Sequence, residues 1–196
     1  ENVKGILSMS DTDNERIINK IVNEFIKNNY FVCYKLLNSS DYDVPQNRER
    51  VVIIAKKLDL FPKEKNTKTS VIDSIRDLPY EENNLNGHLL FNPTKKTIER
   101  IKNIKHGEKL TAKFNFSRQR IHPDKPSPTV STKPLFIHPV YDRLMTPREL
   151  ARIQSFPDNF EFTGSKTAMV KQIGNAVPPL MAEAIAKNLR RGAQCE

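Results

Sequence analysis

The feature that most constrains the fold is a short strand that is apolar on both of its faces. This strand is predicted over residues 50–57, and residues 51–55 within it read VVIIA, so neither face carries a polar side chain there. Such a strand has to be covered on both sides, which is typical of a central position in a sheet flanked by helices. A second strand is predicted over residues 30–38, YFVCYKLLN. The sequence therefore predicts a covered sheet.

Residues 12–29 precede these strands and have the periodicity of an amphipathic helix. The apolar positions recur at helical spacing, at Ile17, Ile18, Ile21, Val22, Phe25 and Ile26. Thr12 followed by Glu15 is the pattern of a capping box at the helix start, and Asn28 with Asn29 predicts the helix end. A helix and strands in this order indicate the α/β class.

Three further helices are predicted towards the C-terminus, over residues 93–104, 146–156 and 179–191. Pro93 is expected at the first helical position of the first of them, where its missing N–H is tolerated. The second has the strongest start signal, because Thr146 is a good cap and Glu149 follows three residues later. Pro157 is expected to end that helix, since proline cannot continue one.

The middle of the chain differs from both ends in charge and in regularity. The formal net charge of the 196 residues is +9, and residues 56–125 hold 16 basic and 9 acidic residues, which is net +7. The same part is polar and punctuated by prolines, which predicts a small, loop-rich second domain. Charge alone leaves two interpretations open: a surface that binds a polyanion, or a lysine-rich surface that is only solvated.

Composition also bounds the location of the protein and its metal content. No stretch approaches 18 apolar residues, so no membrane span is predicted. The two cysteines and four histidines have no metal-ligand spacing, so no metal site is predicted. Cys33 lies in an apolar run and is expected as a reduced core residue, which suits a cytoplasmic protein.

Two arginines, Arg48 and Arg50, stand one residue apart just before the apolar run. In extended backbone, residues two apart point the same way, so Gln46 and both guanidinium groups are expected on one face, with Glu49 opposite. Such a pair suits a phosphate or a carboxylate. The spacing fits equally well an Arg-Glu-Arg ladder on the surface that makes weak ion pairs.

Four stretches, in order, resemble signature blocks of the DNA (cytosine-5) methyltransferases. They are ENV at residues 1–3, VPQNRER at 44–50, RLMTPRELARIQSFP at 143–157 and QIGNAVP at 172–178. The stretch HPDKPSPTVST is also similar to the Thr-Leu region that closes the target-recognition domain of this family, with Val130 in place of leucine. The resemblance covers about residues 1–57 and 118–191.

The resemblance implies an activity and a set of catalytic residues. The family adds a cysteine thiolate to carbon 6 of a flipped cytosine, and carbon 5 then receives a methyl group from S-adenosylmethionine. Glu1 matches the carboxyl that protonates the ring at N3, and Asn2 matches its neighbour in the pocket. Arg48 and Arg50 match the family arginines, one contacting the base and the other holding the pocket and a neighbouring phosphate.

The remaining site residues follow from the other blocks. The Gly-Asn-Ala-Val block implies that Asn175, Ala176 and Val177 lie on the cofactor side, with Gly174 permitting a tight turn in a loop that enters the last helix. Double-stranded DNA is the implied partner of the basic middle segment. The expected DNA-binding residues are Gln46, Arg118, Arg120 and Thr129, although Arg118 and Arg120 fit a solvated surface equally well.

Two blocks of the family pattern have no counterpart in this sequence. There is no Phe-x-Gly-x-Gly loop to hold S-adenosylmethionine and no Pro-Cys pair to supply the nucleophile. The chain is therefore expected to be the C-terminal half of a methyltransferase, inactive alone, either as a fragment or as a natural subunit that joins an N-terminal half. The exposed edge of its half-sheet is also expected to promote self-association.

The predicted organisation has three parts. Residues 1–58 and 141–196 belong to a Rossmann-like methyltransferase sheet with its final helix, and residues 59–140 form the target-recognition domain. A prokaryotic protein associated with the nucleoid is implied. Two other interpretations stay open: a DNA-binding subunit without catalysis, and a family member that acts on RNA.

Overall fold

The computed structural model of the chain describes residues 1–55, 61–111 and 117–193. A three-stranded sheet contains β1 (Asn2–Val3), β2 (Val32–Asn38) and β3 (Glu49–Ala55), in the order β1-β3-β2, with both pairs antiparallel. The two-faced apolar strand β3 is therefore central, as predicted. The part of the prediction that covers residues 56–57 lies outside the described residues.

Helices and a second small sheet make up the rest of the described chain. The α-helices are α1 (Ile17–Lys27), α2 (Val71–Ile75), α3 (Lys95–Lys102), α4 (Pro147–Ile153), α5 (Lys166–Asn175) and α6 (Pro179–Ala193). Two 3-10 helices, Lys4–Leu7 and Ser39–Tyr42, follow β1 and β2. The second sheet pairs β4 (Gln119–Arg120) in parallel with β5 (Phe136–Ile137). The α/β class is confirmed, whereas α2 and α5 were not predicted.

The predicted start of the first helix is wrong, since α1 begins at Ile17 and no capping box forms at Thr12. The Asp11 carboxylate instead accepts hydrogen bonds from the backbone N–H groups of Asp13 and Glu15, at 2.9 and 3.0 Å. This Asx-type turn competes with the helix for the same donors. The predicted end is confirmed, because Asn28 caps α1 and Asn29 has a left-handed φ of 63°.

Two other helix boundaries also differ from the prediction. Pro93 is not the first helical residue, because the Thr94 hydroxyl caps α3. Helix α4 has the predicted capping box between Thr146 and Glu149, but it ends at Ile153, four residues before Pro157. Ser155, with a left-handed φ of 69°, turns the chain there.

The two larger of the three hydrophobic cores in the described residues hold most of these elements together. One face of the β2–β3 pair packs against α6, through Leu37, Val52, Ile54 and Met181. The larger core joins α2, α4 and α5 with residues around β4 and β5. It includes residues from both sides of the predicted boundary at residue 140, so the division into 59–140 and 141–196 remains a proposal about function.

Helix α4 connects the two predicted parts through a buried cation. Arg148 is fully buried, and its guanidinium donates to the backbone carbonyls of Asn86, Pro157 and Phe160 at 2.6 to 3.2 Å. Glu149 is also buried and accepts two hydrogen bonds from Arg143, at 2.9 and 2.6 Å. Charge-assisted contacts of this kind fix orientation as well as distance.

His138 is buried beside this ion pair and is held as a neutral ring. Its Nδ1 accepts hydrogen bonds from the backbone N–H groups of Val140 and Tyr141, and its Nε2 lies 3.7 Å from a Glu149 oxygen. Burial lowers the pKa of His138 from 6.5 to about 4. The negative charge of Glu149 opposes this shift, while the other neighbouring groups reinforce it, namely Arg143, Arg120 and His88.

This environment predicts acid sensitivity. A histidine whose pKa is lowered in the folded state stabilises the fold fully above 6.5, and the contribution is lost as the pH falls from 6.5 towards 4. We expect the free energy of unfolding to fall by about 2 kcal/mol between pH 7 and pH 5 through this group. Urea unfolding at both pH values measures this difference in the free energy of unfolding. His138→Asn should remove the part of the difference that His138 contributes. An equal loss of unfolding free energy between pH 7 and pH 5 in the unaltered protein and in His138→Asn would contradict the prediction.

Candidate functional site

A carboxyl and a guanidinium group meet where β1 pairs with β3. The register places Val3 opposite Arg50, and the Nε of Arg50 lies 3.3 Å from an oxygen of Glu1. Their side chains are 14% and 33% exposed, so both remain open to a ligand. Asn2 is exposed beside them, and its side-chain oxygen accepts the N–H of Val3. The structure thus brings together three of the four predicted catalytic residues, Glu1, Asn2 and Arg50.

Arg48 lies on the same side as Arg50 but has different surroundings. It is only 3% exposed and donates to the carbonyls of Val130 and Gly174, at 3.3 and 2.9 Å. Burial lowers the pKa of Arg48 to about 10, with repulsion from Arg50 adding to the decrease and Glu1 opposing it, so the group stays charged at neutral pH. The Nε of Arg48 is buried without an acceptor among the described residues.

The predicted ladder of exposed arginines is therefore not what the structure contains. Glu49 does point to the opposite face, where it pairs with Lys4 at 3.0 Å. Arg48, however, is an internal brace, and of the two arginines it is Arg50 that stays partly accessible beside Glu1. Sequence spacing gave the shared face correctly but not the burial.

Gln46 is fully buried, which corrects the expectation that it touches DNA. Its side-chain N–H donates to the Gln154 side-chain oxygen, and its own oxygen accepts the N–H of Val130 at 2.8 Å. The neighbouring backbone also pairs with the segment around Ser127, since the Asn47 N–H donates to the Ser127 carbonyl at 2.8 Å. Gln46 therefore holds two segments together from inside.

The three other predicted DNA contacts differ in accessibility. Arg120 is 5% exposed and donates to four carbonyls and to Asp142, so its guanidinium is occupied within the fold. Thr129 is exposed, and its hydroxyl donates to the Asn47 carbonyl at 2.9 Å. Arg118 is half-buried, and its Nε has no acceptor within the described ranges. Thr129 and Arg118 stay candidates, whereas Arg120 is a structural brace.

The predicted cofactor-side block forms the end of α5 and the link to α6. Asn175 is exposed at the last helical residue, and Ala176 caps the helix in an extended conformation. Gly174 is thus helical, and the tight turn expected from it is wrong. A Cβ at this position would lie 2.5 Å from the Ser131 carbonyl carbon and oxygen and 2.7 Å from the Thr132 nitrogen. The glycine is required by this close approach.

Gln154 is a residue of this site that the sequence reasoning missed. Its side-chain N–H groups donate to the carbonyls of Ile173 and Ala176, at 3.2 and 2.7 Å. The sequence predicts a structural role for the stretch around it, and nothing in the neighbouring residues indicates that this glutamine is buried.

Metal and membrane chemistry find no support within the described ranges. Among residues 1–55, 61–111 and 117–193, no group of three His, Cys, Asp or Glu side chains is placed to hold a metal ion. In the same ranges, no helix is long and apolar enough to cross a membrane.

Comparisons with known proteins show which sequences this chain is similar to. The sequence model described as C-5 cytosine-specific DNA methylase matches residues 1–191. The type II methyltransferase M.DdeI of Desulfomicrobium norvegicum is 35% identical over 254 residues, which covers 96% of this chain and 61% of that protein. The type II methyltransferase M.AquIB of Picosynechococcus is 46% identical over 107 residues, covering 46% of this chain and 77% of that protein. The chain thus spans less than two thirds of M.DdeI.

Solved structures share the fold. A DNA modification methyltransferase encoded within an E. coli prophage superposes with a TM-score of 0.81 at 26% identity, covering 97% of this chain and 67% of that one. The DNMT2 of Spodoptera frugiperda, at 16% identity and a TM-score of 0.57, covers 96% and 65% and is similar in fold alone. These similarities confirm the predicted architecture, part of a Rossmann-like methyltransferase fold.

Proposed function

This chain belongs to the C-5 cytosine-specific DNA methylase family, and we propose that it forms the C-terminal half of a DNA (cytosine-5) methyltransferase. The complete protein would methylate carbon 5 of a cytosine flipped out of double-stranded DNA. The observation that carries the proposal is the contact of Arg50 with Glu1 at an accessible strand edge.

The pair has the chemistry that this reaction needs. Attack of a thiolate at carbon 6 pushes electron density onto the pyrimidine ring, and a proton at N3 neutralises it. The Glu1 carboxyl is the proposed donor of that proton, and the guanidinium of Arg50 beside it stabilises the negative charge that develops on the ring. Asn2 is the proposed neighbour that orients the base.

The groups beyond this pair complete the site. Asn175, Ala176 and Val177 are the proposed contacts for S-adenosylmethionine, which supplies the methyl group when bound. The nucleophile and the glycine loop are proposed to come from an N-terminal half, since this sequence contains neither a Pro-Cys pair nor a Phe-x-Gly-x-Gly loop. In the described part of the chain β1 pairs only with β3, so its other edge is the proposed place for further strands or, without them, for self-association.

The similarity to M.AquIB supports a natural subunit as one source of such a half. The 107 aligned residues make up 77% of that protein, so it is shorter than this chain. A methyltransferase protein of that length has room for only part of the family fold, which supports the split arrangement proposed here.

DNA binding is proposed for the segment 59–140, with Thr129 and Arg118 among its contacts. The net charge of +7 over residues 56–125 supports a polyanionic partner. The same charge favours the second candidate function, a DNA-binding subunit without catalysis. That candidate leaves the Glu1–Arg50 pair without a use.

Methyl transfer from labelled S-adenosylmethionine to unmethylated plasmid DNA tests the proposal. The chain is assayed alone and mixed with a separately made N-terminal half, and tRNA replaces DNA in a parallel reaction. We expect activity only in the mixture and on DNA, and its loss in Glu1→Gln. Activity of the chain alone would overturn the proposal. Tight DNA binding without activity in the mixture would favour the non-catalytic subunit, and activity on tRNA would reassign the substrate.

A further inference from the structure

The turn that follows α4 holds both ends of the proposed cofactor-side block. Gln154 is fully buried and donates through its side chain to the carbonyls of Ile173 and Ala176. Ser155, in its left-handed conformation, accepts the N–H of Leu180 in the first turn of α6 at 3.1 Å. One two-residue turn, here named the 154–155 turn, therefore fixes the chain before and after residues 177–179.

The buried side-chain amide of Gln154 is in turn hydrogen-bonded to the side-chain amide of Gln46. Its side-chain oxygen accepts a hydrogen bond from Gln46, whose own oxygen accepts the N–H of Val130. This makes one continuous chain of hydrogen bonds from the recognition segment, through two glutamines, to the end of α5. Leaving one of these buried amide groups without its partner lowers the stability of the fold by about 1–3 kcal/mol. The series of hydrogen bonds therefore specifies a single arrangement of these segments.

We propose that Gln154 is a positioning residue for the cofactor, which sets the carbonyls of Ile173 and Ala176 and thereby the direction of the Asn175 side chain. The inference rests on the proposed contact of residues 175–177 with S-adenosylmethionine. Gln154 itself is fully buried and offers no exposed surface to a ligand. Its effect is transmitted by the backbone between α5 and α6.

The test replaces Gln154 with methionine, which has a similar volume but no amide. The protein is the complete methyltransferase, this chain together with the N-terminal half, and the readouts are direct binding of S-adenosylmethionine without DNA and of unmethylated plasmid fragments without cofactor. We expect the Kd for S-adenosylmethionine to rise about tenfold and the Kd for DNA to change by less than about twofold. Gln46→Met should weaken cofactor binding in the same direction.

Two control variants make the result decisive. Gln172→Met removes an exposed glutamine of α5, whose side chain donates to the Thr163 carbonyl, and should leave both Kd values unchanged. Ser155→Gly retains the left-handed turn and removes the hydroxymethyl side chain that accepts the Leu180 N–H, so it tests the same turn if Gln154→Met does not fold. We expect Ser155→Gly to weaken cofactor binding several-fold.

The outcomes separate this inference from the proposed function. If the unaltered protein binds no S-adenosylmethionine, the proposed function itself fails. If it binds, and Gln154→Met or Ser155→Gly lowers only thermal stability while both Kd values stay unchanged, Gln154 is a packing residue and the inference is overturned. Equal weakening of DNA and cofactor binding would also overturn it, because it would indicate general damage to the fold.

Discussion

Arg50→Met is expected to reduce the rate of methyl transfer by about 100-fold or more in the complete protein, while DNA binding is retained. Removing one preorganised donor from a site where charge develops typically has an effect of this size. The side chain already lies beside Glu1 and remains partly accessible, so the contact needs no rearrangement of the strand. Single-turnover transfer from labelled S-adenosylmethionine, with a separate DNA-binding measurement, checks the prediction.

The controls for this variant separate charge from geometry. Arg50→Lys keeps the charge and loses the planar guanidinium, so an intermediate rate is expected. Arg76→Met removes a highly exposed arginine, with 71% of its side chain accessible and a 3.9 Å contact to Asp73, and should leave the rate of methyl transfer at saturating DNA unchanged. A normal rate for Arg50→Met would show that the Glu1–Arg50 contact is not part of the reaction.

Gly174→Ala is expected to lower the free energy of unfolding by about 1–3 kcal/mol, because the added methyl group meets backbone atoms that cannot rotate away. The nearest of these atoms is 2.5 Å from the position of the new carbon. The sign of the change is diagnostic. A glycine that only occupied a helix would be stabilised by alanine, by up to about 1 kcal/mol. Urea unfolding of the two proteins decides between these opposite results.

Gly5 provides a matched control for that experiment. It lies in the 3-10 helix that follows β1, and a Cβ built there has no atom within 4 Å. Gly5→Ala should therefore leave stability unchanged within about 0.5 kcal/mol. If Gly174→Ala behaves like Gly5→Ala, the close contact between α5 and the Ser131 backbone does not exist in solution.

The parts of this structure that the sequence predicted well depend on local chemistry. The central position of β3 followed from a run that is apolar on both faces, and the capping box of α4 followed from Thr146 and Glu149. Both signals act within a few residues. The predicted start at Thr12 was wrong for an equally local reason. The Asp11 carboxylate, one residue earlier, accepts the backbone N–H groups of Asp13 and Glu15.

The parts that were missed depend on contacts between distant residues. Arg120 stands in a polar stretch and was interpreted as a DNA contact, but carbonyls 16 to 21 residues away surround it in the fold. Gln46 and Gln154 meet across 108 residues. Neither the spacing of charges nor helical periodicity contains this information. The signature blocks were identified correctly as a group, while the division between accessible and buried residues required the structure.

The contacts around Arg48 also have a consequence for how the chain can vary. The Arg48 guanidinium donates to the Gly174 carbonyl, 126 residues away in sequence. This hydrogen bond closes a loop that contains the segment between the two residues. The entropy of closing a loop grows only with the logarithm of its length, by about 0.6 kcal/mol for each doubling. The alignment with M.DdeI runs over 254 positions, more than the 196 residues of this chain, so that relative carries additional residues between the matched ends. The hydrogen bonds of Arg48 at the base of this loop allow insertions of that kind, because the loop can lengthen while its base stays closed.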